Sequence, residues 1–267
     1  MKWRNIAWIV GILVVVAAGA LWWLSRTAPV LTVATWAGAY GRAQASAMFS
    51  PYSSQAWVDV RIAQYDGGLD DLRGQVGAHR YDWDAVDLEL PDAIAACKEG
   101  LLEPIDATGF PKSDDGIAAA NDFVPGALGE CWVGSVVYSQ VIGFDPARVK
   151  GRPKVIADFF DLRRYPGPRG LRRNSAKLNL ELALLASGVK PREVYRTLAT
   201  HDGLMRALAK LDTIRPFIVW WSKSGDPLKM LADQKVVFTT MPNSTLFDAA
   251  KAKQKVGDRK SVVEGKS

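Results

Sequence analysis

The sequence contains few of the residues that build metal centres and nucleophilic active sites. Its 267 residues include only two cysteines and two histidines. His79 and His201 are far apart and show no metal-ligand spacing with the cysteines, so we expect no metal site. The chain also has no G-x-S-x-G element, no Walker motif and no dinucleotide-binding fingerprint. These absences predict a protein that is not an enzyme and has no catalytic residues and no cofactor.

Positive charge is not concentrated in a pattern typical of nucleic-acid binding. Lysine and arginine number 34 against 28 acidic residues, which gives a formal net charge of +6. No dense basic cluster is interleaved with aromatic residues, so nucleic acid is not an expected partner. The most basic stretch, residues 163–164 and 169–173, is interrupted by Pro166 and Pro168. That pattern predicts a solvated loop.

The N-terminus carries an export signal. Lys2 and Arg4 precede an uncharged apolar run over residues 6–24, and residues 18–20 (AGA) match a signal-peptidase site. The run approaches the ~20 residues that span a bilayer. Residues 1–28 are therefore predicted to be a signal peptide or a retained N-terminal hydrophobic helix that anchors the protein. Either alternative places the body of the protein in the periplasm.

The two cysteines are predicted to form one disulfide bond. An even pair outside the cytoplasm favours a bridge between Cys97 and Cys131. The bridge would close a loop of about 35 residues and stabilise the fold by roughly 3–4 kcal/mol. The alternative is two buried thiols.

Strand and helix patterns alternate along the chain, which predicts an α/β fold with a largely parallel sheet. In the first half, strands are expected at residues 31–36, 58–65 and 83–88, and helices at 42–49, 69–76 and 91–100. A long β-rich segment over 134–144 then leads to strands at 217–221 and 236–240, with helices at 155–160, 178–187, 191–200, 204–211 and 246–255. Residues 258–267 continue no pattern and are expected to be a non-native tail, with a disordered polar terminus as the alternative.

Polar and aromatic residues follow each of the first three predicted strands. Trp36 and Tyr40 follow the first, Asp66 the second, and Asp87 and Glu89 the third. Because ligands of open α/β sheets bind at the carboxyl ends of the strands, these residues predict one cleft.

Six sequence segments together resemble a known family. They are residues 35–40 (TWAGAY), 81–87 (YDWDAVD), 97–106 (CKEGLLEPID), 131–139 (CWVGSVVYS), 180–189 (LELALLASGV) and 231–240 (LADQKVVFTT). In this order they resemble bacterial extracellular solute-binding proteins of the spermidine/putrescine type, the capture subunits of ABC importers. The resemblance implies a two-lobed periplasmic-binding-protein fold (type II-like) that is incomplete at the C-terminus. Lobe I would span residues 29–137 and lobe II residues 138–257.

The resemblance also implies a ligand site between the lobes. It matches Trp36 and Tyr40 to aromatic ligand contacts, Asp87 and Glu89 to contacts at the third strand end, and Trp220 or Trp221 to an aromatic of lobe II. Asn243 matches the family pattern, but Pro242 stands where the family often has a tryptophan.

A polyamine needs aromatic faces for its cationic groups and carboxylates for its ammonium ends. The aromatic candidates are Trp36, Tyr40 and Trp221, and the carboxylate candidates are Asp66, Asp87, Glu89 and Glu181.

Each of these residues also has a structural alternative. Trp36 and Tyr40 would pack the sheet edge, Asp66 would form a turn, Asp87 would cap a helix and Glu181 would be solvated. One of the neighbouring residues Trp220 and Trp221 should lie in the core, because successive strand residues face opposite sides.

The expected function is capture of a small solute, a polyamine such as spermidine or putrescine, by a monomer that delivers it to an inner-membrane ABC permease. The alternatives are binding of another small organic solute, such as an opine, an amino-acid derivative or a thiamine-like compound, or an anchored periplasmic enzyme or sensor domain.

Overall fold

The structure is a computed structural model that describes residue 19, residues 27–151 and 153–253, and the backbone of 257–259. Most of the predicted leader, and residues 260–267 of the predicted tail, lie outside the described residues. Within the described part of the chain, no helix is long and apolar enough to cross a membrane.

The first half of the chain forms a small parallel sheet with helices between its strands. The elements are β1 (Val30–Thr35), α1 (Ala39–Gln44), a π-helical turn (Ala45–Phe49), α2 (Ser50–Ala56), β2 (Asp59–Gln64), α3 (Asp70–Gly77), β3 (Ala85–Val86), α4 (Leu90–Lys98) and α5 (Ala119–Asp122). The strand order is β2-β1-β3, and both pairings are parallel. The predicted parallel α/β pattern is therefore correct here, although β3 is much shorter than residues 83–88.

The second half forms a larger mixed sheet. Its elements are β4 (Gln140–Phe144), β5 (Arg169–Arg172), α6 (Ala176–Ala186), α7 (Val194–Leu198), α8 (His201–Asp212), β6 (Ile218–Trp221), α9 (Asp226–Ala232), β7 (Phe238–Pro242), α10 (Asn243–Lys251) and β8 (Gly257–Arg259). The strand order is β6-β5-β7-β4-β8. β5 is parallel to β6 and β7, whereas β4 is antiparallel to β7 and β8. We refer to the two sheets with their helices as lobe I and lobe II; the boundary at residues 137/138 stays a prediction.

The main hydrophobic core lies in lobe II. Leu171 of β5, Leu184 of α6 and Phe238 of β7 are fully buried within it. Lobe I has a smaller cluster, in which Leu69, Leu72 and Ala96 pack with Val86 of β3. The larger core makes lobe II the more extensively packed part of the molecule.

The solvated-loop prediction for the basic stretch is correct at the exposed Arg163 and Arg164 and wrong at residues 169–172. Residues 169–172 form β5, a buried strand between β6 and β7. The fully buried guanidinium of Arg169 donates to the carbonyl oxygens of Phe159, Asp161, Tyr165 and Gly167. These hydrogen bonds satisfy a cation that would otherwise be too costly to bury.

The long strand expected over residues 134–144 is confined to Gln140–Phe144. Residues 134–139 have no regular structure, and Val136 and Val137 are exposed. We call residues 131–139 the crossover segment because they lead from lobe I into lobe II. The sequence pattern overestimated the strand because apolar β-branched residues continue beyond the part that pairs.

A disulfide joins Cys97 of α4 to Cys131 of the crossover segment, as predicted. Near the end of the chain, Asp258 and Arg259 belong to β8, which pairs with β4. The backbone therefore continues the sheet across the boundary that was expected at residue 258. The rest of the tail prediction stays untested.

Candidate functional site

The end of β1 places two aromatic residues at the edge of the lobe I sheet. Gly38 adopts a φ of 90°, which starts α1 directly after the strand and brings Tyr40 back beside Trp36. Gln44 accepts from the Thr35 hydroxyl at 2.6 Å and donates to the Tyr40 hydroxyl at 2.9 Å. This chain of hydrogen bonds fixes the orientation of the Tyr40 ring. Burial is the main cause that raises the pKa of Tyr40 to about 12.

Four aromatic rings form a continuous wall at this edge. The ring centroid of Trp36 lies 5.8 Å from that of Tyr40 and 6.0 Å from that of Tyr65. Tyr65 in turn packs edge-on against Trp83 at 5.6 Å. Trp36, Tyr40 and Trp83 line the cavity, where a small organic ligand can stack on them, and the buried Tyr65 supports them from behind.

Two carboxylates follow β3 beside the aromatic wall. The Oδ2 atom of Asp87 is buried and has no hydrogen-bond partner among the described residues. Glu89 is also buried, but its carboxylate forms an ion pair with Arg172 of β5 and accepts a hydrogen bond from Tyr138 at 2.8 Å. Asp87 therefore keeps an available acceptor, whereas Glu89 joins the two lobes.

Hydrogen-bond donors from both lobes converge on Gly67, which follows β2. A Cβ atom built on Gly67 would lie 2.8 Å from Nη2 of Arg172 and 3.8 Å from both Nε1 of Trp36 and Nδ2 of Asn174. Asn174 also donates to the backbone carbonyl of Asp66 at 2.7 Å. We call the N–H groups of Trp36, Arg172 and Asn174 the donor cluster. Glycine is favoured at position 67 because its φ is +98° and because a side chain there would displace the Arg172 guanidinium.

Part of the donor cluster has no acceptor. Within residues 27–151 and 153–253, the buried Nε1 of Trp36 and Nε of Arg172 lack hydrogen-bond partners. The buried Nε1 of Trp221, whose ring lies 6.0 Å from the Arg172 guanidinium, is also unpaired in that part of the chain. Because buried donors without partners are costly, their presence indicates a place for an external acceptor.

Glu181 of α6 occupies the lobe II side of the cleft. It is buried, and its carboxylate accepts a hydrogen bond from the Tyr195 hydroxyl at 2.5 Å. Burial raises the pKa of Glu181 above its ordinary value. Glu181 is therefore not a solvated helix residue.

A cavity of about 1690 Å³ brings together five of the eight predicted ligand residues. They are Trp36, Tyr40, Asp87, Glu89 and Glu181. The other three, Asp66, Trp221 and Asn243, do not line it.

These three residues have other surroundings. Asp66 is exposed and Trp221 is buried, while the neighbouring Trp220 is half exposed, which confirms that one of the two tryptophans is in the core. The side chain of Asn243 accepts from the backbone N–H of Ser139 at 3.3 Å and so fastens the crossover segment.

The sequence patterns do not predict four residues of the site, which are Arg172, Asn174, Gly67 and Tyr138. Arg172 is the last residue of β5 and Asn174 follows two positions later, whereas the sequence predicts a loop over residues 169–173. The glycine pair after Asp66 was a usable signal, because a glycine beyond a strand often marks close approach of another group. Among the described residues, no cluster of His, Cys, Asp and Glu could hold a metal ion.

Comparison with known proteins identifies the family. Residues 47–260 match the family of bacterial extracellular solute-binding proteins. The chain belongs to this family. The solute-binding fold agrees with the two-lobed α/β architecture expected from the sequence.

One curated relative of this solute-binding protein is the gamma-aminobutyric acid-binding protein of Pseudomonas aeruginosa, which is 37% identical over 221 residues. The match covers 83% of the chain and 60% of the relative, so the chain spans less than two thirds of that relative's length. A solved structure of the Atu4243 GABA receptor is 30% identical, with a TM-score of 0.68 over 85% of this chain and 67% of that one.

A further solved structure is similar in fold. The periplasmic binding protein MotA of Agrobacterium tumefaciens B6, in complex with glucopine, has a TM-score of 0.75 at 24% identity and covers 85% of this chain and 68% of its own. A spermidine/putrescine-binding protein of Streptococcus pneumoniae is more distant, with 14% identity and a TM-score of 0.59 over 86% of this chain and 68% of that one. The relatives named here are solute-binding proteins, not enzymes.

Proposed function

We propose that this protein captures a small zwitterion, an amino acid of the γ-aminobutyric acid (GABA) type, in the periplasm and delivers it to an ABC permease. The observation that carries the proposal is the donor cluster beside Gly67. A ligand carboxylate could accept from Trp36 and Arg172, whose buried N–H groups have no acceptor among the described residues. Arginine is well suited to this role because its planar guanidinium presents two parallel donors to a carboxylate.

The ammonium end of the ligand has a separate place. Asp87 keeps a buried carboxylate oxygen that is unpaired within the described part of the chain, and it lies beside the aromatic residues Trp36 and Tyr40. A carboxylate and aromatic faces together stabilise an ammonium group. The site thus offers both donors and an acceptor, as a zwitterion requires.

The donor cluster favours an amino acid over the polyamine expected from the sequence. Protonated spermidine and putrescine carry only donor groups, so neither can accept from the indole of Trp36 or the guanidinium of Arg172. Placing an ammonium near Arg172 would also bring like charges together. The names of two relatives, which refer to GABA, support the same choice.

Closure of the two lobes over the ligand is the proposed mechanism. The donor cluster takes Trp36 from lobe I and Arg172 and Asn174 from lobe II, so the cluster is complete only when the lobes meet. A ligand that binds this arrangement stabilises the closed form by its differential affinity.

Isothermal titration calorimetry of the purified chain tests the proposal. GABA, putrescine, spermidine and a neutral amide of similar length would be titrated separately, with an opine as a larger carboxylate. We expect saturable binding of GABA and no binding of the two polyamines. Binding of putrescine or spermidine without GABA would overturn the amino-acid assignment in favour of the polyamine one. Binding of the opine alone would favour a larger amino-acid derivative.

A further inference from the structure

Glu89 occupies an unusual position in a site that is proposed to bind a carboxylate. Its own carboxylate is buried against Arg172, the guanidinium that contributes to the donor cluster. Only Nη1 of Arg172 contacts Glu89, while Nη2 is directed towards Gly67 and Nε has no partner among the described residues. Glu89 therefore neutralises part of the charge of Arg172. It leaves the Nη2 and Nε atoms of the guanidinium, which belong to the donor cluster, uncovered.

The hydroxyl of Tyr138 holds Glu89 in this position. It donates to the same carboxylate oxygen that contacts Arg172, at 2.8 Å. Tyr138 belongs to the crossover segment, and the disulfide bond ties that segment to α4, which begins next to Glu89. The carboxylate is thus fixed from lobe I, lobe II and the segment between them.

The charged side chains that line the cavity are predominantly acidic. The charged residues that line the cavity are Asp84, Asp87, Glu89, Glu103, Glu181 and Lys177. Five carboxylates and one ammonium group therefore line the cavity, and Arg172, which pairs with Glu89, lies behind this lining. Asp92, in the first turn of α4, is half-buried, and its pKa is raised by burial and by the nearby Glu89. A second ligand carboxylate entering this region would meet strong repulsion.

We propose that Glu89 is a specificity-determining residue that makes the cleft reject solutes with net negative charge. The inference rests on the proposed function, since it concerns how that site chooses among carboxylate ligands. Glu89 partly neutralises the charge of Arg172. The remaining attraction of Arg172 is enough to hold the carboxylate of a ligand that also carries an ammonium group. A dianion gains no such compensation and is repelled by Glu89 and its acidic neighbours.

The test compares GABA with glutarate, which has the same chain length and a second carboxylate in place of the ammonium. Wild-type protein, Glu89→Gln and Glu99→Gln would each be titrated calorimetrically with both ligands. Glu99 ends the same helix, is exposed and pairs with Arg73, so its substitution removes an equal charge outside the cleft. We expect Glu89→Gln to raise the affinity for glutarate relative to GABA by about tenfold or more, and Glu99→Gln to leave the ratio unchanged.

Two outcomes would overturn the inference. An unchanged ratio in Glu89→Gln would show that Glu89 does not discriminate by charge. Loss of all binding in a folded Glu89→Gln protein would mean that Glu89 serves only to position Arg172. Failure of wild-type protein to bind GABA or any other amino acid would instead reject the proposed function itself. If Glu89→Gln does not fold, Asp92→Asn removes the neighbouring carboxylate and should shift the ratio in the same direction by a smaller factor; an unchanged ratio there would count against the inference.

Discussion

Nη2 of Arg42 lies 2.8 Å from both carboxylate oxygens of Asp248, a residue 206 positions further along the chain. Arg42 belongs to α1 of lobe I and Asp248 to α10 of lobe II. The contact therefore joins the lobes outside the donor cluster. Both side chains are partly exposed, at 66% and 29%, so salt should weaken their attraction.

Breaking this ion pair should favour the open form of the protein. Because exposed pairs contribute about 0.2–1 kcal/mol, we expect Asp248→Asn to weaken GABA binding by up to about fivefold at low salt and less at high salt. Calorimetric titration at two salt concentrations measures the effect. The exchanged pair Arg42→Asp with Asp248→Arg should recover most of the affinity. No recovery would indicate that the individual side chains, rather than their attraction, are responsible.

Two adjacent glycines offer a matched test of the donor cluster. Gly67 and Gly68 have φ values of +98° and +91°, so alanine would strain the backbone at both. Only at Gly67 does the added methyl group come within 3 Å of Arg172, while nothing lies within 4 Å of it at Gly68. We expect Gly67→Ala to weaken GABA binding by about tenfold, because it displaces the guanidinium, and Gly68→Ala to change mainly the melting temperature. Equal losses of affinity would contradict the assignment of Gly67 to the site.

The geometry of the Arg172 guanidinium, and not only its charge, should matter for binding. Arg172→Lys keeps the positive charge but removes the planar pair of donors, so we expect GABA affinity to fall by about tenfold or more. The neighbouring Arg173 is exposed and provides the control, since Arg173→Lys should bind as wild type does. Equal affinity of the Arg172→Lys protein and wild type would place the ligand carboxylate elsewhere.

Removal of the disulfide should destabilise the fold. The bond closes a loop with a sequence separation of 34, so the double substitution Cys97→Ser with Cys131→Ser should lower the free energy of unfolding by roughly 3–4 kcal/mol. Denaturant unfolding with and without reductant measures this. The reductant should destabilise wild type and have no effect on the double variant. Unchanged unfolding of wild type after complete reduction would rule out a stabilising role.

Glu181 should make stability depend on pH in the acidic range. Its carboxyl has a raised pKa in the folded protein, mainly because of burial. Between its ordinary pKa of 4.5 and the raised value, the folded state binds more protons than the unfolded state. The free energy of unfolding therefore falls as pH rises through this window. We expect Glu181→Gln to flatten the dependence of stability on pH in this window, as measured by thermal melting at several pH values. An unaltered slope would mean that other groups cause the pH dependence.

The aromatic edge of the cleft could be predicted because its elements are local in sequence. Trp36 and Tyr40 follow a β-branched strand and share one turn, so strand pattern and turn chemistry were enough to place them together. Asp87 and Glu89 follow the same reasoning at the third strand. The contribution of β5 to the donor cluster could not be predicted in this way, because residues 169–173 lack the apolar pattern of a buried strand.

Sequence by itself determined the alternation of strands and helices, the cysteine pair and the aromatic end of β1, because each depends on neighbouring residues or on composition. Tertiary structure alone decided the roles of Arg172 and Glu89. They are separated by 83 positions, and a buried arginine is tolerated only where folding brings hydrogen-bond acceptors to its guanidinium, as the carboxylate of Glu89 does for Arg172. Since that pairing depends on how the two lobes meet, no local pattern in the sequence could specify it.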